Sequence, residues 1–461
     1  MEYSRKIRNF ALESQFSQSM TQSQSDILSL MDIGINRVGT RSTKVSQFYD
    51  PSSSIDDEGE FLNFPTQLAI ATHYALLKED ELNVDSYSKI ARKIISLWSN
   101  DCKNQDTNVE GVAESPLQMY LFHDIFTAPF QCQQDTSFKF IDLFAGIGGF
   151  RIAMQEIGGQ CVFSSEWDPQ AQRTYFANYG EVPFGDITLS KTKSYIPEKF
   201  DVLCAGFPCQ PFSISGKQKG FEDTRGTLFF DICEILSQHQ PKVVFLENVK
   251  HMVHHNGGHT LATILSKLED LGYKVSWSIL NAADFGVPQN RERIIIIGSK
   301  DKKFDFSRLP KKAKPKLKDF LDAEGDFEYL NPEEYTLIDD PKEQQESGLI
   351  FAGYRNKSIR KAGVRPGTEH LSRVHKQPNR IYSVEGVHPT LPSQESSGRF
   401  FILTEDRRVR KLTINECWRI MGYPDDFVKV SPLGHQYRQI GNSVCVKMME
   451  EIAKEIKNQL L

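Results

Sequence analysis

Short apolar runs alternate with helical patterns between residues 138 and 300, and this alternation limits the chain to one class of fold. The helical patterns lie at 148–157, 168–179, 226–238 and 258–271. The apolar runs are FKFIDLF, QCVFSS, DVLCAG, KVVFLE, KVSWSIL and RIIIIG. Strands that alternate with helices form βαβ units and a mostly parallel sheet. The sequence therefore predicts an α/β fold over about 138–300.

The segments on either side have a different character. Residues 1–135 are polar and Ser/Gln-rich, with helical patterns near 66–78 and 84–98, and they predict a helical N-terminal extension. A structural or oligomerisation role is favoured for this extension over a helix-turn-helix. The alternation stops after residue 301, and helical patterns return from about 405 to the end.

Charge is distributed unevenly along the chain. The net charge of −5 over 461 residues argues mildly against a nucleic-acid partner unless a basic surface exists locally. Residues 321–350 are strongly acidic, whereas 351–380 carry eight Lys/Arg against one Glu. Such a segment is typical of a surface that meets phosphates, and a solvated charged loop is the alternative.

Other features bear on compartment and metal content. No run reaches the length of a membrane span, and the first residues lack the apolar core of a secretory signal. The eight cysteines form no CxxC pair, so we expect free thiols, no zinc site and a cytoplasmic protein. Four histidines crowd the segment HMVHHNGGH (251–259), but we expect no metal there.

A glycine-rich turn follows the first predicted strand and predicts a nucleoside site. The turn is Phe144-Ala145-Gly146-Ile147-Gly148-Gly149, and Glu166 follows Gly146 by twenty residues. Glycines let a ligand approach the backbone, and an acid at this spacing can hold both ribose hydroxyls. Asp186, at the end of the next segment, could accept from an adenine amine. The spacing departs from GxGxxG, which favours S-adenosylmethionine over NAD; a tight turn without ligand is the alternative.

Three further motifs carry chemistry. Cys209 lies between two prolines just after the strand at 201–206, where an α/β sheet presents its ligand edge, and is the reactive thiol candidate. Glu247 ends another apolar strand, as an acid partner or a mere turn residue. Arg291 and Arg293 share one face of a strand, to bind an anion or base, or to pair with acids such as Glu292.

Taken together, these motifs resemble those of the DNA cytosine-5 methyltransferases, most closely the bacterial restriction–modification and solitary enzymes. The resemblance covers about 138–300 and 380–455 and departs slightly at Tyr423, where Phe is usual. It is carried by FAGIGG, EW, GDI, GFPCQPFS, GTLFF, ENV, QNRER, RRVRKLTINECWRIMGYP and QIGNSV.

The resemblance implies a mechanism and a set of site residues. Cys209 would add to carbon 6 of cytosine, and Glu247 would protonate or hydrogen-bond ring nitrogen 3 and hold the exocyclic amine. Arg291 and Arg293 would orient and polarise the base and the adjacent backbone. The cofactor would be S-adenosyl-L-methionine. Its contacts would be Phe144, Gly146, Gly148, Glu166, Trp167, Asp186, Ile187, Gly206, Pro208, Leu228, Asn442 and Val444.

The resemblance also implies double-stranded DNA as partner. The segment Gln210–Asp223 would be a mobile loop closing over a flipped base, with a plain surface loop as the alternative. A tRNA methyltransferase of the same family is the alternative function; the insert of about 100 residues favours a duplex reader. Candidate DNA contacts are Gln210, Ser213, Ser215, Arg355, Lys357, Arg360, Arg373 and Arg380.

The expected architecture is a Rossmann-like S-adenosylmethionine-dependent methyltransferase domain with a smaller target-recognition domain and an N-terminal helical extension. Residues 1–135 form the extension, 136–302 and 403–461 the catalytic domain, and 303–402 the recognition domain. We expect a monomer, a cognate restriction endonuclease acting on the same site without a stable complex, and no membrane partner.

Overall fold

A computed structural model describes most of the chain from residue 135 onward and parts of the N-terminal extension. The described ranges are 62–76, 88–95, 128–132, 135–208, 228–357, 367–368, 370–393 and 401–461. The predicted mobile loop and five predicted site residues lie outside them. These residues are Cys209, Gln210, Ser213, Ser215 and Arg360.

Helices and strands fall close to the predicted positions. Residues 88–95 are also helical. The α-helices are α1 (Phe64–Leu76), α2 (Gly149–Glu156), α3 (Pro169–Tyr179), α4 (Ser190–Lys193), α5 (Leu228–His239), α6 (His259–Asp270), α7 (Ile414–Arg419), α8 (Leu433–Asn442) and α9 (Val446–Leu460). The strands are β1 (Phe138–Leu143), β2 (Gly159–Ser165), β3 (Val202–Gly206), β4 (Val243–Val249), β5 (Lys274–Asn281), β6 (Gln289–Asn290), β7 (Glu292–Ser299), β8 (Tyr335–Leu337), β9 (Phe351–Arg355), β10 (Arg380–Ser383), β11 (His388–Pro389), β12 (Phe401–Leu403) and β13 (Val409–Lys411).

The six predicted strands form one sheet in the order β2-β1-β3-β4-β7-β5. Strand β1 pairs in parallel with β2 and β3, as βαβ units require. Strands β5 and β7 are joined without a long helix, and they pair antiparallel over their full length. The α/β prediction and the mostly parallel sheet are confirmed.

Local sequence signals explain where the helices begin and end. Helix α3 starts at Pro169, and the side chain of Asp168 accepts a hydrogen bond from the Gln170 N–H. It ends at Gly180, which takes a left-handed conformation at φ 76°. Helix α7 opens with a capping box in which Thr413 and Glu416 satisfy each other's backbone N–H groups.

Contacts divide the chain into two compact units. The first comprises Met1–Phe245, Lys267–Gly272 and Asp426–Ser431, and the second comprises Leu246–Ser266, Tyr273–Asp425 and Pro432–Leu461. The division passes through β4, so the nucleoside motifs belong to the first unit and the ENV, QNRER and QIGNSV motifs to the second.

A separate five-stranded sheet in the second unit follows the order β13-β12-β10-β9-β8. Its core includes Ile381, Phe401 and Val409. The expectation that the chain is helical from about residue 405 is wrong for the first residues of this segment. There β13, at Val409–Lys411, pairs antiparallel with β12. This sheet therefore continues beyond residue 402, where the recognition domain was expected to end.

Within the described ranges, no helix has the length and hydrophobicity that a membrane span requires. The six cysteines at described positions carry free thiols: Cys132, Cys161, Cys204, Cys233, Cys417 and Cys445. No group of three or more His, Cys, Asp or Glu side chains in the described ranges could hold a metal ion.

Candidate active site

The turn after β1 has the strained backbone of a ligand-binding loop. Phe144, Gly146 and Gly148 all have positive φ, at 52°, 56° and 85°. For a phenylalanine this conformation costs on the order of 1 kcal/mol and persists only where the surroundings enforce it. The enforcement comes from hydrogen bonds on both sides, from Ala145 N–H to Ser165 O at 2.9 Å and from Gly148 N–H to Ala145 O at 2.8 Å.

The two predicted cofactor glycines differ in surroundings. A Cβ on Gly146 would meet nothing nearer than Phe144 O at 4.0 Å, so this residue borders open space. A Cβ on Gly148 would lie 2.2 Å from the Tyr179 ring, whose hydroxyl donates to Gly148 O at 2.7 Å. Packing against Tyr179 therefore requires a glycine at this position, and the contact of Gly148 with the cofactor stays a prediction.

Glu166 stands at the end of β2, joined to the glycine turn. Its Oε2 accepts from Gly146 N–H at 2.7 Å and its Oε1 from Asp168 N–H at 2.8 Å. Burial raises the pKa of Glu166 to about 7, although these backbone donors favour the carboxylate. Each carboxylate oxygen keeps a lone pair for a further donor. The geometry suits a pair of ligand hydroxyls.

The GDI motif lies directly beside Glu166. Ser165 and Phe184 form a parallel bridge, and Glu166 N–H donates to Phe184 O at 2.8 Å. Ile187 is buried and Asp186 is exposed. Trp167 is 75% exposed, which is unusual for a tryptophan and leaves an apolar face for a ligand ring.

Asp142, on β1 below the turn, was missed by sequence reasoning. Neither of its buried carboxyl oxygens has a hydrogen-bond partner among the described residues. Burial raises the pKa of Asp142 well above its usual range, opposed by the guanidinium of Arg151. The only sequence signal was an acidic residue inside an apolar strand.

These features test whether S-adenosylmethionine fits. Open space at Gly146, a carboxylate with free lone pairs and an exposed tryptophan match a nucleoside with a methionine tail. Gly206 ends β3 at the same edge of the sheet as this turn, Pro208 follows it by two residues, and Leu228 opens α5. In the second unit Asn442 is exposed at the end of α8, and Val444 is buried two residues later. The residues of the first unit fit this group.

In the second unit, Glu247 and Arg293 form a buried ion pair. Arg293 Nε lies 3.0 Å from Glu247 Oε1, and both side chains are about nine-tenths buried. Burial raises the pKa of Glu247, although the guanidinium groups of Arg293 and Arg291 oppose the shift. Glu292 pairs instead with Lys250 at 2.7 Å, so the pairing of an arginine with an acid, the alternative considered above, is seen with Glu247 and not with Glu292.

Arg291 has a different environment from Arg293. Its guanidinium is buried and donates to three carbonyls: Nη2 to Gly441 O at 2.9 Å and Ser443 O at 2.6 Å, and Nη1 to Leu391 O at 3.3 Å. Its Nη groups bind backbone carbonyls, and the expected role of Arg291 in orienting the base and the adjacent backbone stays a prediction. It positions the segments around it.

Residues near Arg291 form further hydrogen bonds with the segments that it contacts. Gln289 Oε1 accepts from Leu391 N–H at 3.1 Å, and Thr390 Oγ1 donates to Asn290 O at 2.7 Å. Tyr423, the departure from the family pattern, uses its additional hydroxyl to contact Ser443 Oγ at 2.5 Å.

The basic candidates for DNA contact separate into two groups. Arg380 donates to His375 O, and Arg355 lies 3.6 Å from Glu334 and above the Phe401 ring, so both have internal partners. Their expected contacts with DNA stay predictions. Lys357 and Arg373 are exposed and remain candidates.

The fold and this site define a class, that of Rossmann-like methyltransferases. A sequence model described as C-5 cytosine-specific DNA methylase matches residues 138–458, and the chain belongs to this family.

Two relatives and one solved structure extend the comparison. Type II methyltransferase M.HpaII of Haemophilus parainfluenzae is 46% identical over 335 residues, 70% of this chain and 90% of the relative. Type II methyltransferase M.HhaI of Haemophilus parahaemolyticus is 42% identical, covering 71% of this chain and 97% of the relative. The crystal structure of S. pombe Dnmt2 methyltransferase matches at a TM-score of 0.50 and 18% identity, over 70% of this chain and 100% of that one. At 18% identity, the comparison with S. pombe Dnmt2 supports the fold alone.

Proposed function

We propose that this protein is a sequence-specific DNA (cytosine-5) methyltransferase that protects DNA within a restriction–modification system. The observation that carries the proposal is the buried Glu247–Arg293 pair at the end of β4, in a chain of the C-5 cytosine-specific DNA methylase family. A cognate endonuclease would act on the same site without a stable complex. The protein would act as a monomer in the bacterial cytoplasm, where its substrate is found.

Glu247 would hold the pyrimidine ring. Burial raises its pKa, which would help this carboxyl group to place a proton on ring nitrogen 3 of cytosine. Arg293 fixes the carboxyl group through Nε and so sets the direction of that proton. Charge that builds on the ring during nucleophilic addition is thereby stabilised in a site shielded from water.

Cys209 would supply the nucleophile. Carbon 5 of cytosine is a poor nucleophile, and addition of a thiolate at carbon 6 converts the ring to an enamine. Loss of the carbon-5 proton and of the thiol at the end restores the aromatic ring. The target base would first be extruded from the duplex, since neither face of carbon 6 is accessible within the stack.

The first unit would hold S-adenosyl-L-methionine. Glu166 would accept from the ribose hydroxyls, Trp167 and Ile187 would flank the adenine, and Asp186 would meet its amine. Gly146 leaves room for the methionine end. When bound, this cofactor supplies an electrophilic sulfonium methyl group.

Covalent trapping tests the proposal. Duplex DNA containing 5-fluorocytosine at the target should form a denaturation-resistant complex with the full chain and S-adenosylmethionine, and Cys209→Ala should abolish it. Cys204→Ala is the matched control, because this thiol is buried in β3. Full methyl transfer by Cys209→Ala would overturn the mechanism.

Bisulfite sequencing of a host genome expressing the protein would identify the target site. Modification of tRNA without modification of duplex DNA would overturn the DNA assignment in favour of the tRNA alternative.

A further inference from the structure

Helix α1 of the N-terminal extension is buried along most of its length. Four of its apolar residues are fully buried: Leu68, Ala69, Ile70 and Ala71. Three polar residues, Gln67, Thr72 and His73, have at most 1% of their surface exposed. Burying polar groups is costly unless they find partners. Besides carbonyls of their own helix, Thr72 and His73 have partners in the methyltransferase fold that lie 91 to 110 residues further along the chain.

One carboxylate collects these contacts. Glu181 Oε1 lies 2.6 Å from Arg151 Nη1 and 3.2 Å from His73 Nε2, and it accepts from Ser164 Oγ at 2.8 Å. Burial alone would raise the pKa of Glu181, but Arg151 and His73 together hold it well below its usual range. The carboxylate is therefore charged and satisfied by three different elements.

His73 is oriented for this contact by its own helix. Its Nδ1 lies 2.9 Å from Ala69 O, and because a carbonyl oxygen only accepts, Nδ1 carries a proton. This leaves Nε2 facing Glu181 and also Ser164, whose N–H lies 3.3 Å away. The neighbouring Thr72 Oγ1 accepts from Val182 N–H at 3.1 Å.

The network reaches the predicted cofactor carboxylate by two short routes. Ser164 precedes Glu166 by two residues on β2. The His73 ring packs against Phe184 with centroids 4.6 Å apart, and Phe184 O accepts from Glu166 N–H. His73 thus contacts both backbone segments that place Glu166 opposite the glycine turn.

We propose that His73 is a positioning residue for the S-adenosylmethionine site, so that α1 is a built-in part of that site. The proposal rests on the proposed function, because it assumes that Glu166 binds the cofactor. Helix α1 lies outside residues 138–458, which the family model matches, so the extension would supply a contact that the family pattern does not contain.

The test compares His73→Leu and His73→Gln in the full chain. Leucine removes the polar contact with Glu181, whereas glutamine keeps a polar nitrogen near the Nε2 position. We expect His73→Leu to weaken S-adenosylmethionine binding about tenfold by calorimetry, with recovery in His73→Gln. In the protein without ligand, amide exchange over residues 159–166 should accelerate in His73→Leu alone.

Two controls separate positioning from stability. Leu68→Ala removes apolar contact on the same helix and should lower the Tm without changing cofactor affinity below the transition. Tyr74→Phe removes only the hydroxyl that accepts from Arg92 and should change neither. If His73→Leu fails to fold, Thr72→Val, which removes the Val182 contact, takes its place.

The outcomes are distinguishable. If the unaltered protein does not bind S-adenosylmethionine, the proposed function fails. If it binds and His73→Leu binds equally well, with unchanged exchange over 159–166, the positioning role is overturned and α1 is only structural.

Discussion

Arg293 reaches from β7 to Glu247 on β4 and holds it through a single Nε–Oε1 contact of 3.0 Å, in surroundings that bury both groups. An ion pair of this kind is expensive to desolvate and adds little to stability by itself. It fixes the Glu247 carboxyl group in one orientation, as the proposed contact with the cytosine ring requires.

Replacing Glu247 should therefore affect the chemical step. We expect Glu247→Gln to lower kcat about 10²–10⁴-fold while KM for DNA and S-adenosylmethionine changes little, because the amide cannot supply the same proton. Single-turnover methylation measures this. Glu292→Gln, on the neighbouring surface pair with Lys250, is the control and should retain activity. A Glu247→Gln enzyme with unchanged kcat would remove the acid from the mechanism.

The pKa of Glu166 predicts a pH dependence of cofactor binding. With a pKa of about 7 in the folded protein, the carboxyl is protonated below that pH and loses the charge that accepts ribose hydroxyls. Affinity for S-adenosylmethionine should fall as pH falls below about 7, approaching tenfold per unit. Calorimetry across this range checks it; Glu166→Gln should bind weakly at every pH.

The same group predicts a change in stability with pH. Because the pKa in the folded state lies above the ordinary 4.5, the folded state binds more protons between pH 4.5 and about 7. The contribution of Glu166 therefore favours folding at low pH and is lost as pH rises through this window. The difference in unfolding free energy between wild type and Glu166→Gln, measured with urea, should fall as pH rises through this window. A difference that does not vary with pH would contradict the prediction.

Lys357 and Arg373 are expected to contact phosphate. Alanine at either position should weaken duplex binding for all sequences alike and reduce the slope of log K against log salt by about 0.9. Fluorescence anisotropy at several salt concentrations measures this. Lys342→Ala, in the acidic segment, is the matched control, with 84% of its side chain exposed. Equal slopes for all three variants would remove both residues from the interface.

A buried ion pair anchors the start of α7. Arg410 Nη1 and Nη2 each lie 2.8 Å from an oxygen of Glu416, and Arg410 also stacks on Phe327 at 4.1 Å. Arg410→Ala would leave the buried carboxylate of Glu416 without its charged partner and should lower the free energy of unfolding by about 3–5 kcal/mol. Arg408→Ala, on a surface pair with Asp406, should cost at most about 1 kcal/mol. Urea titrations of both variants would reveal whether burial makes the difference.

The sheet was predictable because its information is local. The runs FKFIDLF and RIIIIG became β1 and β7 within about a residue of the expected bounds, since apolar strands flanked by turns read the same in any context. Helix α3 was similarly marked by Asp168, Pro169 and Gly180. The strand β13 was not foreseen, because Val409–Lys411 is short and its pairing partner decides its state.

The site was predictable only to the level of which residues belong to it. Gly148 and Arg291 were named from motifs, but the Tyr179 ring that fills the space over one and the carbonyls that hold the other lie 31 to 152 residues away. His73 carried no signal at all, because a histidine in an apolar helix becomes meaningful only beside Glu181. Side-chain partners distant along the chain exist only after folding.

Arg291 links parts of the chain that lie far apart in the sequence. Its guanidinium joins segments 100 and about 150 residues away, much as a disulfide cross-links distant positions, but without any need for an oxidant. A backbone nick between Leu391 and Gly441 would leave both pieces attached to the same side chain. The part of the chain between Leu391 and Gly441 is therefore held at both of its ends by one side chain.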